Sequence, residues 1–415
     1  MDICITGVGI CSAIGQGKEA FLQALLNGQH QFDYLKRPGR QLPEQAVNQS
    51  SAQSEMPLFM GAEIESLQLP DNIGKGFLRT TSLSTQAAIA CLDEVWHEAA
   101  LHAVAAERIG LIVGGSNLQQ RELVNIQDKF QTKKTFLRPT YAMAFMDTDI
   151  IGCCTELYPV KGGVTTVGAA SASGQVAIIQ GIQLVLSGQL DCAVVIGGLM
   201  DLSYWECQAL RSVGAMGSTV FADNPSQACR PFDTRHDGFI YGEACGAVVI
   251  ESVASAEARQ QAAYARVSGW ATAMAGNRNP DPSEHTEKQV MLTAIEKAQL
   301  SAAAIDYINP HGTGSPTGDA VELSALAGAD LNHAFINATK SITGHGLTAA
   351  GCVEVIATLL QMQAGQLHPT LNLEEPLSHS FHWVGEQPIN HHMQHALTLS
   401  YGFGGINSAL VLSRF

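Results

Sequence analysis

The chain carries little charge for its length: Lys, Arg, Asp and Glu make up 15% of 415 residues, against roughly 25% in an ordinary soluble domain. Hydrophobic residues reach 46%, yet no stretch of about 18 apolar residues stands out, so no membrane span is expected. Sparse charge without a span points to surface covered by another subunit, and a homodimer is the expected assembly. The start lacks the basic region and cleavage site of a secretory leader; Met1-Asp-Ile-Cys-Ile-Thr-Gly7 reads as an opening strand. No two of the ten cysteines form a CxxC pair, and several sit in apolar segments, where a free thiol acts as a small hydrophobe. Neither a zinc site nor a disulfide framework is supported, and a reduced, cytoplasmic setting is expected. A formal net charge of −15 argues against a broad basic face for nucleic acid. Two phosphate-binding patterns are incomplete. Gly7-Val-Gly9 follows a strand but has Ser12 where the third glycine belongs, and Gly17-Lys18 has neither the upstream glycine nor the hydroxyl of a P-loop.

What is present is α/β layering: short β-branched runs alternate with longer helical patterns. Strands are expected at Ile109–Val113, Cys192–Ile196, Ala247–Glu251, Ala265–Ser268, Leu397–Ser400 and Ala409–Leu412. Helices are expected at Lys18–Leu26, Thr81–Ala99, Gly174–Leu186, Glu287–Ala298, Ala320–Ala327 and Ala349–Ala364. Arg40–Met56 is polar and rich in Ser and Gln, as in a surface loop, and Gly276–Ser283 has strong loop chemistry. No internal repeat is visible.

Four clusters carry chemistry. Ser171 lies in Val167-Gly-Ala-Ala-Ser-Ala-Ser-Gly174, just before a helix apolar nearly all round and therefore buried. Helix N-termini favour developing negative charge, although Ser171 or Ser173 as a plain N-cap is the simpler reading. The surroundings are not a G-x-S-x-G elbow, so a lipase-type hydrolase gains little support. His311 stands in a tight glycine turn, His311-Gly-Thr-Gly314, followed by Asp319 and Glu322, which either brace that turn or complement the dipole of the next helix. Lys340 and His345 fall in Lys340-Ser-Ile-Thr-Gly-His345. Glu354, on the apolar helix beyond, needs a partner, and Lys340 is the nearest cation in sequence. Finally, Tyr401-Gly-Phe403-Gly404-Gly405 is either a hairpin turn or, through close backbone approach, a source of an N–H for an oxyanion.

In order and spacing these clusters, with Arg230-Pro-Phe-Asp-Thr-Arg-His-Asp-Gly-Phe-Ile-Tyr-Gly-Glu243, resemble the landmarks of the β-ketoacyl-ACP synthases from the first strand to the last. The resemblance implies a thiolase-like five-layered α-β-α-β-α fold of two similar halves, 1–252 with Ser171 and 253–415 with His311, Lys340 and His345. It implies that Ser171 stands where the acyl-accepting cysteine belongs, and that His311 and His345 bind a malonyl thioester carbonyl and promote decarboxylation. Lys340 and Glu354 match the supporting pair. Phe403 matches the gate residue, whose backbone joins the oxyanion hole with Gly404 beside it. His236 and Ser315 are further departures, in place of a common arginine and threonine, and neither is expected to touch the chemistry directly.

A serine hydroxyl ionises far less readily than a thiol of reference pKa about 8.5, so condensation should be lost while decarboxylation, which needs no covalent intermediate, survives. The chain accordingly resembles the Cys-to-Ser branch that decarboxylates malonyl-ACP in polyketide β-branching cassettes. Two alternatives stay open: an acyltransferase or condensing enzyme acylated on Ser171, and a non-catalytic partner subunit resembling chain-length factors. No cofactor is implied beyond the phosphopantetheine of an acyl carrier protein, the expected partner. That carrier is acidic, so local basic residues should dock it. Candidates are Lys75, Arg79, Lys129, Lys133, Lys134, Arg138 and Arg211, with Lys133 and Lys134 falling near the family's docking segment.

Overall fold

The computed structural model describes residues 2–42 and 58–415. Its first half runs β1 (Ile3–Ser12), α1 (Lys18–Leu26), α2 (Leu83–Glu98), β2 (Ile109–Gly114), α3 (Gln120–Phe130), β3 (Gly163–Val167), α4 (Ser173–Leu186), β4 (Cys192–Gly197), α5 (Tyr204–Ser212) and β5 (Ala244–Ser252). The second runs β6 (Ala265–Met274), α6 (Glu284–Lys297), β7 (Tyr307–Asn309), α7 (Pro316–Gly328), β8 (Phe335–Ile336), α8 (Ala350–Ala364), β9 (His382–Trp383), β10 (His395–Gly402) and β11 (Ile406–Ser413).

These strands form one twelve-stranded sheet in the order β9-β8-β7-β10-β11-β6-β1-β5-β4-β2-β3, with Gly15–Gln16 folded back on β1. From β1 outward to β3 the pairings are antiparallel, antiparallel, parallel, parallel. From β6 outward to β8 the same sequence recurs, and β1 joins β6 antiparallel at the centre. The repeat absent from the residues is thus present in the strand order.

Successive side chains on a strand face opposite ways, and here both faces are covered. Ala193 and Val195 of β4 face α4 and α8, whose Ile178, Ile182, Val353 and Ile356 fill the central layer. Cys192, Val194 and Ile196 face the other way, onto Ile89, Leu92 and Val95 of α2. On the far side α6 and α7 bury Val290, Ile295 and Leu326 against Leu397 and Val411. The layers are α-β-α-β-α. This two-sided burial explains why the strands read as apolar runs rather than alternating ones. It also explains Gly7-Val8-Gly9, which lies inside β1 rather than after a strand: a Cβ on Gly9 would come within 2.4 Å of the Cys91 carbonyl oxygen on α2.

Two expectations need correction, and one juxtaposition went unread. The segment Leu347–Ala364 is long and apolar enough to cross a membrane by length and composition, but 89% of it is buried inside the fold, as the core helix of the central layer. Arg40 is no part of a surface loop. It is fully buried, with its guanidinium paired to Glu63, Asp201 and Glu243 and set over the Tyr241 ring; the remainder of that expected loop, 43–56, lies outside the described residues. The absence of a CxxC motif also hid a juxtaposition. Cys11, Cys91 and Cys245 meet in the outer core with sulfurs all within 4.8 Å of one another. Burial pushes the Cys91 thiol well above its ordinary range, and the three pack as small hydrophobes.

Candidate active site

Two buried helices cross where neither has a side chain. A Cβ on Gly174 would lie 2.8 Å from the Cys352 amide nitrogen, and one on Gly351 would lie 2.8 Å from the Gln175 amide nitrogen. The crossing is nearly two-fold. Ala170 (φ +48°) and Leu347 (φ +50°) both take the left-handed conformation, each four residues before its glycine, and each opens a 3₁₀ turn, Ala170–Ala172 and Leu347–Ala349. Left-handed backbone is costly for a residue with a Cβ, and here it aims the next side chain, Ser171, away from its own helix. Ser173 does the local bonding instead: its hydroxyl accepts from the Ala169 amide at 2.9 Å and donates to the Ala170 carbonyl at 2.6 Å. Ser171 is therefore no N-cap. Its Oγ lies 3.0 Å from His345 Nε2.

The imidazole of His345 is fixed on both sides. Its backbone amide donates to the Ile240 carbonyl at 2.7 Å, and the Phe239 ring meets it edge to face at 5.1 Å. The Leu347 amide donates to Nδ1 at 3.3 Å. A ring nitrogen that accepts carries no proton, so in the neutral ring the proton sits on Nε2. His345 thus donates towards Ser171 and cannot take its proton through Nε2.

His311 follows β7 in a turn that Gly312 (φ +39°) and Gly314 (φ +84°) make possible. The two carboxylates of α7 brace that turn. Glu322 accepts from the amides of His311 and Gly312 at 2.7 and 2.8 Å, and Asp319 accepts from those of Thr313 and Gly314, both at 3.1 Å. Asp319 also accepts from the Phe232 amide at 2.6 Å and meets His236 Nδ1 at 3.1 Å. His236 therefore acts on the site through Asp319. Ser315, expected to stand clear of the chemistry, caps α7 and lines the cavity.

Lys340 and Glu354 pair in the buried layer, and the same ammonium donates to the His311 carbonyl oxygen. Burial pushes the Glu354 carboxyl up, to about 7, against the pull of Lys340. Both imidazoles are held well below the ordinary histidine range, by burial first and then by the Lys340 charge. The rings of His311 and His345 stand 5.5 Å apart, nearly perpendicular.

These groups share one cavity of about 430 Å³. Ser171, His311, His345 and Phe403 line it, as do Asp319 and Glu322; Lys340 and Glu354 support it from behind. Phe403–Gly405 form the hairpin turn between β10 and β11, with Tyr401 and Gly402 at the end of β10, and Gly402 lets the segment approach, since a Cβ there would meet the Ala169 carbonyl at 2.4 Å. Gly405 lines the cavity, whereas Gly404 (φ +87°) shapes the turn. None of the seven docking candidates lines it. Lys75, Arg79, Lys129, Lys133, Lys134 and Arg138 are exposed on other elements. Arg211, set over the Phe59 ring, lies on α5 beside Leu210 and Val213 of the cavity wall.

Among the lining residues that escaped the sequence reading are Glu287 and Tyr401. A signal existed for Glu287: it shares the helical face of Val290, Met291 and Ala294, where an acid is out of place. The loop from Asn279 to Ser283 also lines the cavity.

Chemically, two neutral rings are held at one side of a partly apolar cavity, next to an alcohol that no base is placed to ionise. Such a site favours developing charge on a carbonyl oxygen over nucleophilic attack by Ser171.

Comparison with known proteins defines the class. The chain matches the β-ketoacyl synthase N-terminal domain over residues 1–256 and the β-ketoacyl synthase C-terminal domain over residues 264–374, and it belongs to that family. Over 411 residues it is 51% identical to the polyketide biosynthesis malonyl-ACP decarboxylase PksF of Bacillus subtilis, covering 99% of this chain and 96% of that protein. It is 30% identical over 419 residues to 3-oxoacyl-(acyl-carrier-protein) synthase 1 of Haemophilus influenzae, covering 99% and 98%. A solved β-ketoacyl synthase from Burkholderia phymatum STM815 shares the fold with a TM-score of 0.88 at 24% identity, covering 100% of this chain and 99% of that one.

The Lys340–Glu354 pair yields a stability prediction. Lys340→Met leaves a buried acid alone and should cost about 3–5 kcal/mol in denaturant unfolding, with Lys340→Met/Glu354→Gln recovering most of it. Equal stability of the single variant and the parent would show that the pair does not hold this layer together.

Proposed function

We propose that this chain removes CO₂ from malonyl-ACP to leave acetyl-ACP, as a step in polyketide β-branching, with the substrate carried on the phosphopantetheine of the acyl carrier protein. The observation that carries this reading is the Leu347 amide donating to His345 Nδ1 at 3.3 Å, which leaves the proton of the neutral ring on Nε2, 3.0 Å from Ser171 Oγ, so the alcohol is not activated while an N–H donor is ready. The thioester oxygen sits between His311 and His345. As the C–C bond to the carboxylate breaks, the electron pair moves into an enolate whose oxygen takes hydrogen bonds from both rings. Donors of this kind are worth about 2.7–4 kcal/mol each when removed. Neutral rings suit the task, because a donor with a depressed pKa keeps its form as pH falls. The Bacillus subtilis relative, 51% identical, bears the name of this reaction.

The test is CO₂ release from malonyl-ACP with the carrier followed by mass. His311→Ala and His345→Ala should each lose about 10²–10³-fold in kcat, Ser171→Ala far less. The two imidazoles should add no protonation step to the profile between about pH 8 and 6, the range in which an ordinary histidine near 6.5 would become charged. Chain extension, a stable acyl-Ser171 adduct, or collapse of Ser171→Ala alone would overturn the assignment.

The carrier docks on the exposed Lys133 and Lys134, which open the 3₁₀ turn ending at Phe136. Reversing both charges should raise the KM for malonyl-ACP severalfold and leave kcat alone; an unchanged KM would discard this patch.

The assembly is a homodimer in a reducing, cytoplasmic setting, and the chain divides into halves 1–252 and 253–415 about the β1–β6 junction. The dimer reading rests on β3. It is one of the two edge strands of the sheet, with Gly163 and Val164 exposed, and the large apolar side chains of Phe136, Met143 and Phe145 are exposed as well. Open strand edges of this kind invite pairing with a second chain. Light scattering should give a dimer for the parent and a monomer for Val164→Lys/Phe136→Lys. A monomeric parent would sink this interface.

A further inference from the structure

Among the described residues, three buried polar atoms belonging to cavity-lining side chains have no hydrogen-bonding partner: His311 Nδ1, the Tyr401 hydroxyl and Glu287 Oε2. The first two belong to rings 5.4 Å apart. Glu287 is the anomaly. It lies one turn into α6, is 1% exposed, and faces the cavity. Its carboxyl takes a backbone hydrogen bond from Ser283 at the start of the helix, but Oε2 has no partner, and burying it so costs the fold stability. The chemistry it adds is a proton. Burial and the neighbouring Glu322 push its carboxyl up to about 9, so it stays protonated at neutral pH. Glu287 lines the same cavity as His311 and Tyr401.

Decarboxylation without condensation leaves a need that a condensing reaction lacks. The carbon released from its carboxylate must receive a proton, since no acyl electrophile awaits it. Ser171 is a poor source, because an alcohol is a very weak acid, and both imidazoles are occupied at the oxygen. Building on the function proposed above, we infer that Glu287 is the acid that protonates the enolate carbon. The bond between the α-carbon and the carboxylate breaks and CO₂ leaves. The electron pair left on the α-carbon takes the Glu287 proton, giving the acetyl thioester and a Glu287 carboxylate. A proton from water then restores the acid, so one proton is consumed for each CO₂ released.

Glu287→Gln keeps the shape and removes the acid. Glu287→Met replaces a buried polar group that lacks one of its partners with an apolar one, so at least one of the two should fold with an undiminished melting temperature. In either variant net acetyl-ACP formation should fall about 10²-fold with KM within about twofold, the usual scale for a lost general acid. Glu287→Asp should recover part of the rate. The deciding readout is carboxyl exchange. With ¹³C-bicarbonate present, an enolate that waits for its proton recaptures CO₂, so label in recovered malonyl-ACP should rise for each acetyl formed. A purely structural role would lower exchange and net turnover together, and that result overturns the inference, as does a variant matching the parent in both. If the parent itself releases no CO₂, it is the function proposed above that fails.

Discussion

The site depends on two helices being allowed to touch. Because Gly174 and Gly351 lack side chains, α4 and α8 approach until backbone meets backbone, and their N-terminal turns are brought face to face. Any Cβ at this crossing would force the helices apart and separate Ser171 from His345, a change felt at hydrogen-bond precision. Dense packing transmits such shifts rather than absorbing them. The left-handed residues Ala170 and Leu347 are part of the same device, since they turn the chain sharply enough for each turn to meet the other.

Burial then sets the charges. Five ionisable groups, His311, His345, Glu287, Glu322 and Glu354, lie in or behind one cavity, and burial pushes each towards its neutral form. Lys340 is the cation among them: its charge lowers both imidazoles, and its pairing with Glu354 offsets the cost of holding it there. The arrangement keeps hydrogen-bond donors uncharged, so that the new charge in the reaction is the one on the substrate. Desolvated donors of this sort act more strongly than they would in water.

Much of this was legible in the residues. All-round apolarity marked α4 as buried, and Glu354 amid Val353, Val355 and Ile356 advertised a partner that proved to be Lys340. The observed bounds of α1 are those its pattern suggests, and the other expected helices shift by a few residues at their ends. What stayed hidden was whatever depends on three-dimensional meeting. The short strands β7 and β8 carry too few residues to show a period. The two-fold repeat survives in strand order and backbone angles but not in side chains. Arg40 read as surface because its three acidic partners, Glu63, Asp201 and Glu243, are scattered along the chain. Tyr401 hid inside a glycine-rich motif that drew attention to its neighbours.

The near-symmetry of the two turns has its own corollary. Thr348 occupies in the second turn the place that Ser171 holds in the first, yet its hydroxyl is committed to the Gly198 carbonyl at 2.7 Å and serves as mortar between the halves. One geometric position has been divided into a chemical version and a mechanical one. Both imidazoles and the ammonium come from the C-terminal part of the chain, but the helix that sets their spacing and the Phe239 ring that steadies His345 come from the N-terminal part, so the donors are aimed by residues that take no share in the chemistry.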